Sequence, residues 1–191
     1  TKAKEVAVGL DSRKNSKILI EQLIKGINDQ GANVVQVGVI STPGFFYYMM
    51  KGKYESGIMV TPSHDPKEYA GFKLYRGSQN GPSPISFDSG GREVKLLMEE
   101  GEFPKASKKG KKSKENLTHE YVKYLESYSE KTAKNKEDYK LLKFVVDCQN
   151  GSGTLEAQAI KNTFSGTKII NNSANGSFPA KVPDPLMPEA R

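Results

Sequence analysis

The sequence predicts an α/β fold, a mixed but mostly parallel sheet sandwiched by helices. Two observations carry that expectation. Short apolar runs rich in β-branched residues alternate with segments whose apolar residues recur every three or four positions, which is the signature of strands and helices in turn. The same alternation restarts after a lysine-rich interruption, so a second α/β unit follows the first.

Taken in order, Val6 to Leu10 is a short apolar run and reads as a buried strand. Asp11 to Asn15 is a polar turn. From Ser16, the residues Ile18, Leu19, Leu23, Ile24 and Ile27 fall on one helical face, and Gly31 supplies a stop. Asn33 to Val39 is a valine-rich strand. Thr42 followed by Pro43 predicts an N-cap with proline at the first helical position, opening a short aromatic-rich helix towards Lys51. Ser56 to Val60 is a third strand. It runs into Thr61 to Pro66, a loop that Pro62 and Pro66 keep out of helix and sheet. Gly71 to Tyr75 is another strand, Gln79 to Pro84 is turn-rich, and Asp88 or Ser89 caps a helix reaching Glu100.

Lys105, Lys108, Lys109, Lys111, Lys112 and Lys114 stand among serine and glycine with almost no apolar neighbours. The stretch 105–115 is therefore expected to be a solvated linker between a first domain, 1–104, and a second unit, 116–191. In the second unit, Leu117 to Ser129 is an amphipathic helix with Tyr121, Leu125 and Tyr128 on one face. Leu142 to Val146 is a strand, Asp147 to Gly153 a glycine-rich turn, Thr154 to Phe164 a helix and Lys168 to Ile170 a strand. Asn175 to Arg191 holds four prolines and no periodicity. So small a half-sheet leaves apolar edges exposed, so the polypeptide is expected to continue beyond Arg191 and this second domain to be incomplete.

Composition removes several classes of function. With 36% hydrophobic residues and a mean hydropathy of -0.61, no apolar run approaches the roughly 20 residues that span a bilayer. Thr1 to Glu5 leads into a strand without a signal-peptide pattern. Cys148 is the single cysteine; it excludes an internal disulfide and fits a cytoplasmic protein. The net charge of +7 suits acidic ligands. The lysine run lacks the interleaved aromatics that stack on nucleic-acid bases, so neither a nucleic acid nor a membrane is expected as partner. Asn150 and Gly151 do not fit a Walker loop and read as a helix-capping turn.

One loop stands out chemically. Ser63 lies between prolines, beside His64, at the carboxyl end of a strand, where α/β sheets bind ligands. Lys73, ten positions on, lies on the strand that returns alongside. Serine is a weak nucleophile unless activated. His64 adjoins it, but neighbours on an extended backbone point apart, and His119 lies across the lysine run. A hydrolase triad does not fit. On composition alone, an ordinary turn with Ser and Asp in capping roles is the stronger reading.

The order of the residues adds to this. Thr61-Pro62-Ser63-His64-Asp65-Pro66-Lys67-Glu68-Tyr69-Ala70-Gly71-Phe72-Lys73 resembles the phosphoserine loop of α-D-phosphohexomutases, usually T-(A/G)-S-H-N-P-x-x-Y-N-G-(F/I)-K. Val8 to Arg13 resembles that family's V-G-R-D-x-R turn, and Ser41-Thr42-Pro43 its strand-ending T-P. Val145 to Gly151 resembles the start of its second domain, while Gly176 to Pro179 and Pro183 to Glu189 resemble the segment that follows. The likeness runs through the whole chain in the family's order.

The resemblance implies that Ser63 is phosphorylated and passes its phosphoryl group to a hexose monophosphate, making a bound 1,6-bisphosphate that also serves as activator. A 1-phosphate and a 6-phosphate of mannose or glucose would thereby interconvert. It implies Mg²⁺ held by the oxygen of phosphorylated Ser63 and by aspartates of a D-G-D-x-D-R loop expected past Arg191. Lys73 matches a lysine of proton transfer at the sugar hydroxyl. His64 matches the histidine beside the phosphoserine, with a phosphate-facing or loop-bracing role as rival. Arg13 matches a residue that binds near the substrate, with a structural pair to Asp11 as the alternative. Tyr69 and Phe72-Lys73-Leu74 resemble phosphomannomutase/phosphoglucomutase more than phosphoglucosamine mutase. Leu10, Pro62, Asp65 and Ala70 depart from the pattern, and Asp65 sets a negative charge near a phosphoserine. These departures support the rival class, a non-catalytic α/β domain that binds sugar phosphates or another protein.

Overall fold

Alternation along the first strand decides how the two helical layers are placed. In the computed structural model, which describes residues 3–103, 106–132, 141–184 and 186–190, β1 spans Glu5–Leu10. Its Val6, Val8 and Leu10 face one way, packing with Val34, Val60 and with Ile20 and Ile24 of α1, Lys14–Asp29. Ala7 faces the other way, in a cluster with Phe45, Tyr48 and Met49 of α2, Thr42–Lys51, and with Met59 and Tyr75. Period-2 strands and period-3.6 helices thus meet in a helix–sheet–helix sandwich.

The remaining strands are β2 (Asn33–Val39), β3 (Ser56–Val60), β4 (Phe72–Arg76), β5 (Ser83–Pro84) and β6 (Lys112–Lys114). They form one sheet in the order β5-β4-β3-β1-β2-β6. β1 runs parallel to β2 and β3, and β2 parallel to β6. β4 and β5 pair antiparallel. The sheet is mixed and mostly parallel, as its sequence pattern predicts. α3 spans Arg92–Glu100. In the second unit, α4 (Thr118–Thr132) and α5 (Thr154–Thr163) accompany a two-stranded parallel sheet of β7 (Val145–Asp147) and β8 (Lys168–Ile170). No helix among the described residues is long and apolar enough to cross a membrane.

Several local expectations change. The cap of α2 is Ser41, whose hydroxyl accepts from the Gly44 N–H, so Pro43 is the second helical residue and Thr42 the first. The glycine-rich turn does not cap α5 with Asn150: the N-cap is Gly153, without a side-chain bond. Asn150 is instead buried and donates from Nδ2 to the Ser173 carbonyl. On α4, Tyr121 is buried against Tyr47, whereas Tyr128 is exposed. Gly31 sits just past α1 with φ +87, the left-handed stop expected of it.

The lysine stretch differs most. Lys105 lies outside the described residues, but Lys112–Lys114 is a sheet strand rather than a solvated linker. Both of its faces are exposed, which is why it carries no apolar signal. Lysine on an outer strand also discourages further strand pairing. Lys112 Nζ lies 3.0 Å from Glu21 Oε1, and Lys109 Nζ 2.5 Å from Asp29 Oδ1. Two of the stretch's lysines are thus matched to acidic residues of α1.

Lys109 first, and Lys25 after it, hold the Asp29 carboxyl below its ordinary value, from 3.8 to about 2. The fold favours the ionised form, so this contribution is complete above the ordinary carboxylate range and is lost as pH falls through about 2. NMR titration of the Asp29 carboxyl should report that low value and show it rising in Lys109→Met. An Asp29 that titrates like a free carboxylate in the parent protein contradicts the pairing.

Candidate active site at the carboxyl ends of the parallel strands

β1, β3 and β2 end side by side, and each gives way to a polar turn: Asp11–Arg13, Thr61–Ser63 and Ile40–Thr42. These turns line one cavity of about 280 Å³, closed on its other side by the turn Cys148–Gly153 and by Phe178 and Pro183 of the second unit. Ligands of α/β sheets bind at such strand ends. The end of β1 is tied directly to β3, since the Asp11 N–H donates to the Val60 carbonyl at 3.1 Å.

Arg13 is the anchor of this end. It is only 1% exposed. Its Nε donates to Asp11 Oδ2 at 3.1 Å, while Asp11 Oδ1 accepts from the Arg13 N–H at 3.0 Å and from Ser16 Oγ at 2.6 Å. The far end of the guanidinium reaches the serine loop. Nη1 donates to the Pro66 carbonyl at 2.6 Å, and Nη2 to the carbonyls of Asp65 at 2.6 Å and Ser63 at 3.2 Å. A planar fork with donors spread over three nitrogens serves four separate acceptors at once, whereas an ammonium has three donors on a single nitrogen. The structural pair with Asp11, the alternative to a substrate-binding role, is present, and the loop contacts come in addition to it.

Ser63 stands in the left-handed region, φ 72. For a residue with a Cβ this costs roughly 1 kcal/mol or more and persists only where the surroundings enforce it. Here they do: its N–H donates to Thr61 Oγ1 at 3.0 Å, and its carbonyl is held by Arg13. The Thr61 N–H donates to the Gly71 carbonyl at 2.8 Å, closing the loop. Asn15 Nδ2 donates to the Glu68 carbonyl at 2.7 Å. The Ser63 side chain is exposed and lines the cavity, and its hydroxyl makes no hydrogen bond among the described residues. The backbone is fixed and the hydroxyl is free.

The other expected site residues are spread more widely. His64 is exposed, with Nδ1 3.8 Å from Asp184 Oδ1. Lys73 pairs with Met59 across β3 and β4, so it stands on the α2 face, one strand beyond the loop. It is half-buried and is not among the residues lining the cavity. No three His, Cys, Asp or Glu side chains converge among the described residues, so these residues do not by themselves make the Mg²⁺ site that the resemblance implies. Burial first, then the carboxylates of Asp147 and Glu156, push the Cys148 thiol up. It is a poor nucleophile despite its place in the wall.

Sequence reasoning did not single out the contacts made by the second unit. Ser12 Oγ donates to the Asn150 carbonyl at 3.3 Å. Glu156, in the first turn of α5, accepts from Ser41 Oγ and, at 2.9 Å, from the Tyr121 hydroxyl. Phe178 lies with its ring centroid 5.3 Å from Arg13 Cζ. Ser12, Ser41, Asn150 and Phe178 lie in stretches whose residue order carries the resemblance, and Tyr121 lies on the apolar face of its helix, whereas Glu156 left no signal.

Replacing the fork by an ammonium tests the anchor. Arg13→Lys should lower the free energy of unfolding by about 2 kcal/mol, since it strands buried acceptors that one ammonium cannot serve together. Urea denaturation measures it. A variant as stable as the parent contradicts the geometry.

Residues 1–88 match the family described as phosphoglucomutase/phosphomannomutase, alpha/beta/alpha domain I. Among curated relatives, a phosphomannomutase of Vibrio cholerae is 34% identical over 98% of this chain and 40% of its own length. A phosphomannomutase of Escherichia coli is 34% identical over 100% of this chain and 42% of its own. The chain therefore spans about two fifths of the length of these relatives. Among solved structures, a phosphoglucomutase/phosphomannomutase family protein from Burkholderia thailandensis superposes with a TM-score of 0.74 at 26% identity, over 97% of this chain and 40% of that one. With the same fold, the same loop order and these relatives, the chain belongs to the α-D-phosphohexomutase family and matches the portion that holds its first α/β/α domain.

Proposed function

We propose that Ser63 carries a phosphoryl group and exchanges it with a hexose phosphate, so that the protein interconverts hexose 1-phosphate and 6-phosphate through a bound 1,6-bisphosphate. The observation that supports this best is the contrast at Ser63 itself: backbone pinned in a costly conformation by Arg13 and Thr61, hydroxyl free and facing the cavity. A turn residue with a capping role would spend its hydroxyl on the backbone. This one does not.

The reaction is a displacement at phosphorus. As the bond from the Ser63 oxygen to phosphorus breaks, one forms to a sugar hydroxyl oxygen, and the hydroxyl proton leaves to a base. After the bisphosphate reorients, the Ser63 oxygen takes the other phosphoryl group. Positioning and charge stabilisation carry most of such catalysis. We assign proton transfer to Lys73, which is half-buried on the neighbouring strand. His64 is assigned to the phosphoryl group's flank, steadied by Asp184. Arg13 spends donors on the protein's own carbonyls and holds the loop. Mannose or glucose phosphate is the proposed substrate class, in keeping with the names of the relatives.

The test is intact-mass and phosphopeptide analysis after incubation with a hexose 1,6-bisphosphate and Mg²⁺. One phosphoryl group on Ser63, absent from Ser63→Ala, is expected. A Ser63 that stays unmodified after loading overturns the carrier assignment.

A further inference from the structure

The cavity has two walls, and the second unit meets the serine loop through Arg13 and, at its exposed edge, through the His64–Asp184 pair. The segment from Asn175 to Phe178 is pressed onto the β1–α1 turn. A Cβ on Gly176 would stand 2.4 Å from the Ser12 carbonyl oxygen and 2.5 Å from Arg13 Cα, distances that only a glycine permits. Two residues on, Phe178 adopts φ 49. Asn175 holds that turn: its carbonyl accepts from the Phe178 N–H at 2.9 Å, and its Oδ1 from the Ser177 N–H at 3.0 Å. Asn175 is in turn anchored to the second unit, its N–H donating to the Asn150 carbonyl at 2.8 Å. That same carbonyl accepts from Ser12 Oγ.

The result is a relay with Arg13 at its centre. One face of the guanidinium lies under the Phe178 ring, 5.3 Å from its centroid. Its edges are spent on Asp11 and on the carbonyls of Ser63, Asp65 and Pro66. An aromatic ring over a guanidinium attracts the cation and keeps water from its face. Hydrogen bonds made in that dry setting are stronger than the same bonds in water.

We infer that Phe178 is a positioning residue for Ser63, acting through Arg13: the seating of the Gly176–Phe178 segment sets where the serine loop stands. This rests on the reading of Ser63 as the phosphoryl carrier. It adds that the second unit, and not the first domain alone, governs how readily Ser63 is loaded. Leucine at 178 fills space without offering a π face, whereas tyrosine retains the face.

The experiment uses the full-length protein with Phe178→Leu, Phe178→Tyr and Gly176→Ala. Ser63 loading from a hexose 1,6-bisphosphate and amide hydrogen exchange across 61–71 are followed together, with exchange in β1 and α1 as the control. Phe178→Leu and Gly176→Ala should slow loading about fivefold, the scale of one cation–π contact, and speed exchange in the loop. Phe178→Leu should leave β1 and α1 unchanged, whereas Gly176→Ala, whose Cβ would press on Ser12, Arg13 and Lys14, should also speed exchange at the start of α1. Phe178→Tyr should restore both. Parental loop exchange in Phe178→Leu overturns the inference, as does a failure of Phe178→Tyr to rescue. If the parent protein itself does not load, the carrier reading fails separately, and loop exchange in the same variants still decides the positioning role.

Discussion

A buried guanidinium must be fully paired, and that requirement organises this end of the molecule. Taking an unpaired charge out of water costs several kcal/mol. Arg13 meets the demand with acceptors from three places: the Asp11 carboxylate beside it, the carbonyls of the loop after β3, and the aromatic face of Phe178. Each partner is thereby positioned. Asp11 is held a second time by Ser16 at the start of α1, so helix, turn and loop share one fixed point. The loop cannot drift without stranding the charge.

The sheet makes this possible. Parallel pairing of β1 with β2 and β3 brings three carboxyl ends together, and each turn contributes polar groups where the strands stop. The antiparallel return of β4 brings Lys73 back to the level of Met59, beside the loop but outside the cavity wall. Two packed clusters, one on each face, hold the strand ends rigid. Against that frame, a left-handed Ser63 is tolerated, and its exposed hydroxyl is what the frame displays.

Much of the fold was legible because it rests on local patterns. Val6 to Leu10 is an unbroken apolar run because both faces of β1 are buried. Leu19, Leu23, Ile24 and Ile27 recur at helical spacing because that face of α1 meets the core, although Ile18 is exposed and Ile20, outside the pattern read, is buried. β6 was missed because Lys112, Ser113 and Lys114 bury neither face, so no alternation exists to read. β5 is two residues long and ends in proline, below any periodic signal. Ser63, His64 and Arg13 could be named from the order of residues in two turns. Their roles could not: that Arg13 serves three loop carbonyls depends on contacts 50 to 53 residues apart in the chain. Asn150 illustrates the same limit, since its partners at Ser12, Ser173 and Asn175 lie far off in sequence, and a turn-forming residue type says nothing of them.

The central claim is that Arg13 is a fixed fork and not a mobile surface cation. NMR of the Arg13 guanidinium, isotope-labelled in the full-length protein, tests it most directly. Bonds to Asp11 and to the loop carbonyls predict separate Nη signals, slow rotation about the Nε–Cζ bond and protection from solvent exchange. A single averaged Nη signal exchanging freely with water would contradict the account.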